Sequence, residues 1–179
     1  MKTLCTVTLI AALLAGTAAH GEVPDAYRRI APQYGIPAVV LYAIALCESG
    51  RRIGVGFRPW PWTLNINGQG RVFEDKPRAV QAAADAIDRG STVDLGIMQV
   101  NWHYHGHRFG GIAEALDPYA NLRAGAAILR EYSREHGSLW QGIGYYHSGT
   151  PERANAYQAR CARILVDTLD RQAGGMRNG

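Results

Sequence analysis

Between Pro37 and Gly50 the chain reads "AVVLYAIALCES", a nearly continuous apolar run that closes on a carboxylate, Glu48, and then Ser49. Pro37 suits a first helical position, where its missing N–H costs nothing, and Gly50 suits a helix stop. At helical spacing Leu41, Ile44, Ala45 and Glu48 fall on one stripe, and Val40, Ala43, Ile44 and Cys47 on the adjacent one. Glu48 and Cys47 therefore face where the apolar residues face. Either Glu48 is a solvated helix end after a core run, or it is held partly dry for chemistry.

The rest of the chain reads as mostly helical. A first helix runs from Pro24 to about Tyr34, where "GIP" breaks it. In segment 54–75, "WTLNI" and "RVF" flank the turn "NGQG", the pattern of a β-hairpin. "PRAVQAAADAIDRG" reads as a helix from Pro77 to a stop at Gly90, and "DLGIMQVNWHYHGHRFGG" as a loop or short helix. "YANLRAGAAILREYSREHG" is amphipathic, with Leu122, Ala126, Leu129, Tyr132 and His136 on one stripe. A short helix follows in "LWQGIGYYHSG". A last helix starts near Pro151 and turns Ala154, Tyr157, Cys161, Ile164, Leu165 and Thr168 inward. The fold class expected is mainly α with a small β-hairpin, in one domain over residues 22–173, with residues 174–179 as a disordered tail.

Composition supports a single globular domain: 179 residues, 47% apolar and 19% charged, are enough for a real core and unlike a disordered chain. Lys2, the apolar run 4–15 and the small residues of "AGTAAHG" have the layout of an export signal, cleaved after Ala19 or after Gly21. The run is too short for a membrane span, so no stable membrane insertion is expected after cleavage. Without Lys2 the formal charge falls by one from +4 to +3. That mild basicity favours a polyanionic neighbour such as cell wall, and no long basic run points to nucleic acid. Cleavage also removes Cys5 and leaves Cys47 and Cys161. In an exported chain such a pair reads as one disulfide, with two buried free thiols as the alternative. A Cys47–Cys161 bond would bring Tyr157, one turn before Cys161, towards Glu48.

Three segments carry candidate chemistry. A carboxyl group at the end of a buried helix tends to stay protonated, because desolvation disfavours its charged form, and can then donate a proton to a leaving oxygen. In "DLGIMQVNW", Gly96 permits close backbone approach, and Met98 and Gln99 set an apolar side chain beside an amide, a combination that suits an N-acetylated sugar. In "GYYHSGT", aromatic rings precede a polar turn and could stack on sugar. Each segment also has a plain structural reading.

Together, and in this order, the three segments resemble the catalytic domain of lytic transglycosylases with a goose-type lysozyme-like fold. Glu48-Ser49 matches the family's Glu-Ser pair, and Gly96-Ile97-Met98-Gln99 its Gly-Leu-Met-Gln, continuing into Val100-Asn101. Tyr145-Tyr146-His147-Ser148-Gly149 matches Ala-Tyr-Asn-x-Gly with Tyr145 in place of Ala and His147 in place of Asn. Tyr157 stands where the family has a lone tyrosine in its final helix, and Asn121 and Gly125 resemble its Asn-containing helix. The stretch "RPWPWTLNINGQG" is similar to an insertion in versions encoded with conjugation and type IV secretion systems.

The resemblance implies Glu48 as the single catalytic acid, acting on peptidoglycan glycan strands in the bacterial periplasm without a cofactor or metal. It implies Ser49, Met98, Gln99, Asn101, Tyr146, His147, Ser148 and Tyr157 as substrate-binding, and type IV secretion or conjugation components as partners. Ordinary glycosidases place two carboxylates. Here Asp94 is the nearest second acid, and it also reads as a turn or cap residue. His147 would titrate near neutrality. His103, His105 and His107 in "HYHGH" read as a polar loop, since no acid or Cys completes a metal set. Trp60, Trp62 and Trp102 would line a glycan groove or pack the insertion on the core. Two rival functions stay open, a hydrolytic muramidase and a wall-binding assembly protein with little turnover.

Overall fold

The computed structural model describes residues 23–177. The export-signal reading of residues 1–19 and residues 178–179 of the expected tail lie outside the described residues.

Helix α1 (Asp25–Ile30) tightens into a 3-10 turn over Ala31–Tyr34 and is ended by Gly35 in the left-handed region, at φ 68°. Helix α2 (Ala38–Ser49) then forms the centre of the helical core, with Leu41, Ala45 and Ile44 sealed from solvent. It turns at once into strand β1 (Gly50–Ile53), paired antiparallel with β2 (Gly56–Pro59). A side chain at position 50 would strike the Leu46 carbonyl at 2.2 Å and the Phe57 ring at 2.5 Å, so Gly50 is what allows this junction.

The expected hairpin is β3 (Thr63–Ile66) and β4 (Gln69–Val72), joined by Asn67 and Gly68 at φ 51° and 83°. Two positive φ values in a two-residue loop are what Asn-Gly supplies. The β structure is larger than the sequence indicated. The segment expected as loop or short helix contributes β5 (Val93–Leu95) and β6 (Val100–Asn101), and the sheet runs β4-β3-β5-β6, all antiparallel. Val93 and Leu95 bury one face while Asp94 points to the other, a period-2 signal too short to read without its partner strand.

Helix α3 (Lys76–Asp88), capped by Asp75 onto the Arg78 N–H at 2.9 Å, lays Ala79, Ala83 and Ala86 on the sheet's apolar face. Short helices α4 (Trp102–His105) and α5 (Ile112–Ala115) lead to α6 (Pro118–Glu135), capped by Asp117. Helix α7 (Leu139–His147), capped by Ser138, and α8 (Pro151–Arg177) complete the bundle, with α8 packed on α2 and α7. Helix α8 runs four residues into the segment expected to be a disordered tail. The three histidines of "HYHGH" lie on α4 and the 3-10 turn after it, not on an extended loop.

One buried amide joins the helical core to the sheet. Asn121, on α6 and fully sealed, accepts from the Met98 N–H at 2.8 Å and donates to the Leu95 and Ala115 carbonyls, each at 2.8 Å. Gly96, at φ 80°, must lack a side chain there, because a Cβ would lie 2.6 Å from the Asn121 amide. Removing the amide strands three buried backbone groups. Asn121→Ala is therefore expected to lower unfolding stability by about 2–4 kcal/mol in urea titrations. A loss below about 1 kcal/mol would show that the sheet is held by other contacts.

Candidate active site

The end of α2 opens into a cleft of about 660 Å³. Its floor is Cys47 and Glu48; one wall is Thr63, Asn65, Asp94, Gln99 and Asn101 from the sheet. The other wall is the end of α7, from Tyr145 to Gly149, together with Arg153 and Arg160 of α8, and Tyr132 closes it on α6.

Glu48 is held away from bulk water by the elements around it. The Tyr157 hydroxyl donates to Glu48 Oε1 at 2.5 Å, reaching from α8 across to α2. Burial pushes the Glu48 carboxyl up to about 7. The Tyr157 hydrogen bond and the Arg160 charge oppose that rise, while Asp94 adds to it. The last turn of α2 also sets the carboxyl at the negative end of the helix dipole, which disfavours its ionised form. Near neutrality Glu48 is thus poised between acid and base, the condition for giving a proton and taking one back.

The second carboxylate in the cleft is Asp94. Its Oδ1 accepts from Asn101 Nδ2 at 2.7 Å and its Oδ2 from Asn65 Nδ2 at 3.0 Å, so both oxygens are fixed. Burial raises it on balance, and the hydrogen bonds from Asn101 and Asn65 oppose part of that rise. Asn65 carried no signal of its own. It stands opposite Asp94 only because β3 pairs with β5 in the register Asn65↔Asp94.

The residues singled out by sequence divide into two groups. Gln99, Asn101, Tyr146, His147 and Ser148 line the cleft. Gln99 does so at a strained φ of 46° and ties itself down by donating to the Gly96 carbonyl at 2.8 Å and the Thr63 carbonyl at 3.1 Å. Ser49 and Met98 do not line it. Ser49 is buried and donates to the Ile97 carbonyl at 2.8 Å, pinning the Gly96 turn to α2. Met98 is fully buried, where a side chain at Gly125 would strike it, and its carbonyl accepts from the Tyr146 hydroxyl at 2.8 Å, which fixes that cleft residue. Tyr157 is buried behind Glu48 and touches the acid rather than the open cleft.

His147 stacks face to face on Tyr157, centroids 4.4 Å apart. Burial, then Arg160 and Arg153, push it below the usual histidine range, which favours its neutral form. Cys47 and Cys161 are both buried and free, so the expected disulfide is not formed in this structure. The two thiols are nevertheless within hydrogen-bonding reach, and their helices meet without a covalent tie. Trp60 and Trp62 form an edge-on pair, with Trp60 donating to the Phe73 carbonyl at 2.7 Å; Trp62 and Trp102 pack against the apolar cluster of the sheet and α3, and none of the three lines the cleft.

The raised Glu48 value has a consequence for stability. The unfolded chain ionises this group near 4.5 and the folded one near 7, so stability is intact below about pH 4.5 and falls as pH rises through that window. Glu48→Gln escapes the loss. At pH 8 it is expected to exceed the wild type by up to about 3 kcal/mol in urea titrations, and at pH 4 to match it. Equal stability at both pH values would mean that Glu48 is not desolvated.

Residues 75–163 match the family model described as "Transglycosylase SLT domain". The match begins after Glu48 and contains Asp94, the Gly96–Gln99 turn, the end of α7 and Tyr157. Among curated proteins the chain is 28% identical over 100 residues to the invasion protein IagB of Salmonella typhimurium, covering 54% of this chain and 62% of that protein. It is 30% identical over 91 residues to IagB of Salmonella typhi, covering 49% and 57%. It is 24% identical over 145 residues to protein IpgF of Shigella sonnei, covering 79% and 76%. The chain thus spans about three fifths of the length of the IagB relatives it matches. No solved structure gives a significant match. The match covers strands β5 and β6, the Asn121 clamp, α6, α7 and the first part of α8, and it identifies residues 75–163 as an SLT transglycosylase domain.

Proposed function

We propose that the protein is a peptidoglycan lytic transglycosylase, cleaving the β-1,4 bond between MurNAc and GlcNAc without water. The observation that carries this reading is the Glu48 carboxyl, raised to about 7 at the floor of a sugar-sized cleft. Protonated Glu48 gives its proton to the bridging oxygen as the C1–O bond breaks. The resulting carboxylate then takes the proton of the MurNAc C6 hydroxyl as that oxygen bonds C1, which leaves a 1,6-anhydro end and returns Glu48 to its starting state. Tyr157 acts through Glu48 as a positioning residue. Gln99, Asn101, Tyr146, His147 and Ser148 are the proposed sugar contacts. Neutral His147 can donate through one ring nitrogen and accept through the other, a partial substitute for the amide that the family places there.

A second reading is favoured by one specific observation. Asp94 faces the same cleft as Glu48, with both oxygens fixed by amides. Such a carboxylate can orient a water, and the enzyme would then be a hydrolytic muramidase. The setting we propose is the periplasm, where the enzyme opens the wall for a transfer or secretion apparatus. The signal-like first residues and the inserted hairpins support that setting.

The test is digestion of sacculi by the purified mature chain with mass analysis of the glycan ends. The expected products are anhydro ends, one water lighter than reducing ends. Glu48→Gln is expected to lower the rate by about 10³-fold or more, and Asp94→Asn to leave the anhydro character intact. Reducing ends that disappear in Asp94→Asn would establish the hydrolytic reading. Unchanged cleavage by Glu48→Gln would remove Glu48 as the acid.

A further inference from the structure

Arg153 and Arg160 stand seven residues apart on α8, two helical turns, and so share the face that also carries Tyr157. Both line the cleft. The Arg160 guanidinium lies over the Tyr157 ring, 5.3 Å from its centroid, which fixes the long side chain beside the acid. Among the described residues the ion pairs use Arg28, Arg29, Arg78 and Arg108, and none uses Arg153 or Arg160. The two carboxyl groups facing the cleft are otherwise engaged: Glu48 is near half-protonation at pH 7, and Asp94 is held by two amides on the opposite wall. Among the described residues, then, neither positive charge bordering the cleft is held in an ion pair, although Arg160 lies near enough to Glu48 to oppose its rise.

A guanidinium fork fits a carboxylate in two parallel hydrogen bonds, and gains little from a neutral sugar hydroxyl by comparison. The sugar rings of peptidoglycan are neutral. Its carboxylates hang from the lactyl group on MurNAc O3, either as the free lactyl acid or as the acids of the peptide stem that extends it. Resting on the peptidoglycan reading above, we propose that Arg153 and Arg160 form a carboxylate-binding subsite on the α8 wall, which takes the acid carried by the MurNAc lactyl substituent. After burial, the same two arginines are what push His147 below the usual histidine range, which places both close to that wall of the cleft. This subsite would make the enzyme prefer wall glycan over uncharged glycans of the same backbone.

The experiment compares three soluble glycan oligomers of equal length. One bears peptide stems, one is stripped by amidase to free lactyl acids, and one has its carboxylates converted to amides. The wild type is expected to show a KM about tenfold higher on the amidated glycan than on the stem-bearing one, with kcat little changed, as for loss of a charge-assisted pair. Arg153→Gln and the double variant Arg153→Gln/Arg160→Gln are expected to raise KM on the charged glycans and to lose the response to amidation. Arg160→Lys is expected to recover part of it. A stripped glycan that behaves like the stem-bearing one shows that either acid fills the subsite, one with a lower KM than the stem-bearing glycan identifies the lactyl acid, and one that behaves like the amidated glycan identifies the stem acids. An amidation response of the same size in the wild type and the double variant overturns the subsite. Anisotropy of labelled glycans on Glu48→Gln, with and without the arginine substitutions, gives the same comparison by binding alone. If the wild type cleaves no glycan, the transglycosylase reading fails, while the binding comparison still decides on the arginines.

Discussion

The three hydrogen bonds of Asn121 are the constraint on which the site depends. They fix the turn at Gly96 against α6, and that turn sets where β5 ends and β6 begins. Asp94 precedes it, and Gln99 and Asn101 follow it, so three cleft residues inherit their positions from one buried amide. A two-residue strand cannot hold such a register by its own ladder, and a fully satisfied polar group in an apolar setting can. Ser49 extends the same clamp to α2 through the Ile97 carbonyl. The backbone that carries the sheet wall is therefore tied directly to the helix that carries the acid.

The acid is shaped from the opposite side. Helix α2 is apolar enough to be buried around most of its circumference, and it carries Glu48 into the cleft floor with it. Burial raises the carboxyl, and Tyr157 together with Arg160 limits the rise. A carboxyl left at its ordinary value would be ionised and unable to donate a proton at pH 7. One buried with no partner would hold its proton too tightly to recycle. The pairing of desolvation with one phenol and one nearby cation places it between those limits.

Much of this was legible in the sequence, for local reasons. Asn67-Gly68 announces its hairpin because few other pairs adopt two positive φ values. The helices announce themselves through caps and spacing, and the apolar run of α2 flags Glu48. What stayed hidden depends on partners distant in the chain. Strands β5 and β6 exist because β3 offers an edge, and Asn65 matters because that pairing sets it opposite Asp94. Ser49 and Met98 sit inside motifs that suggest sugar contact, yet their side chains serve the fold, since only burial distinguishes a scaffold residue from a contact. The cysteines meet because α8 packs on α2, and in this structure both are free thiols. The arginines of α8 gave no signal, being ordinary charges on a helix until the fold turns them towards the cleft.

The fold keeps Glu48 near half-protonation at neutral pH, and the titration of that carboxyl measures this without an intermediary. Carbon-13 NMR of the Glu48 side-chain carboxyl across pH 3–9, assigned by comparison with Glu48→Gln, follows this one group. A midpoint near 7 is expected. A midpoint near the ordinary glutamate value of about 4.3 would contradict it, because Glu48 would then be a solvated helix end with no proton to give.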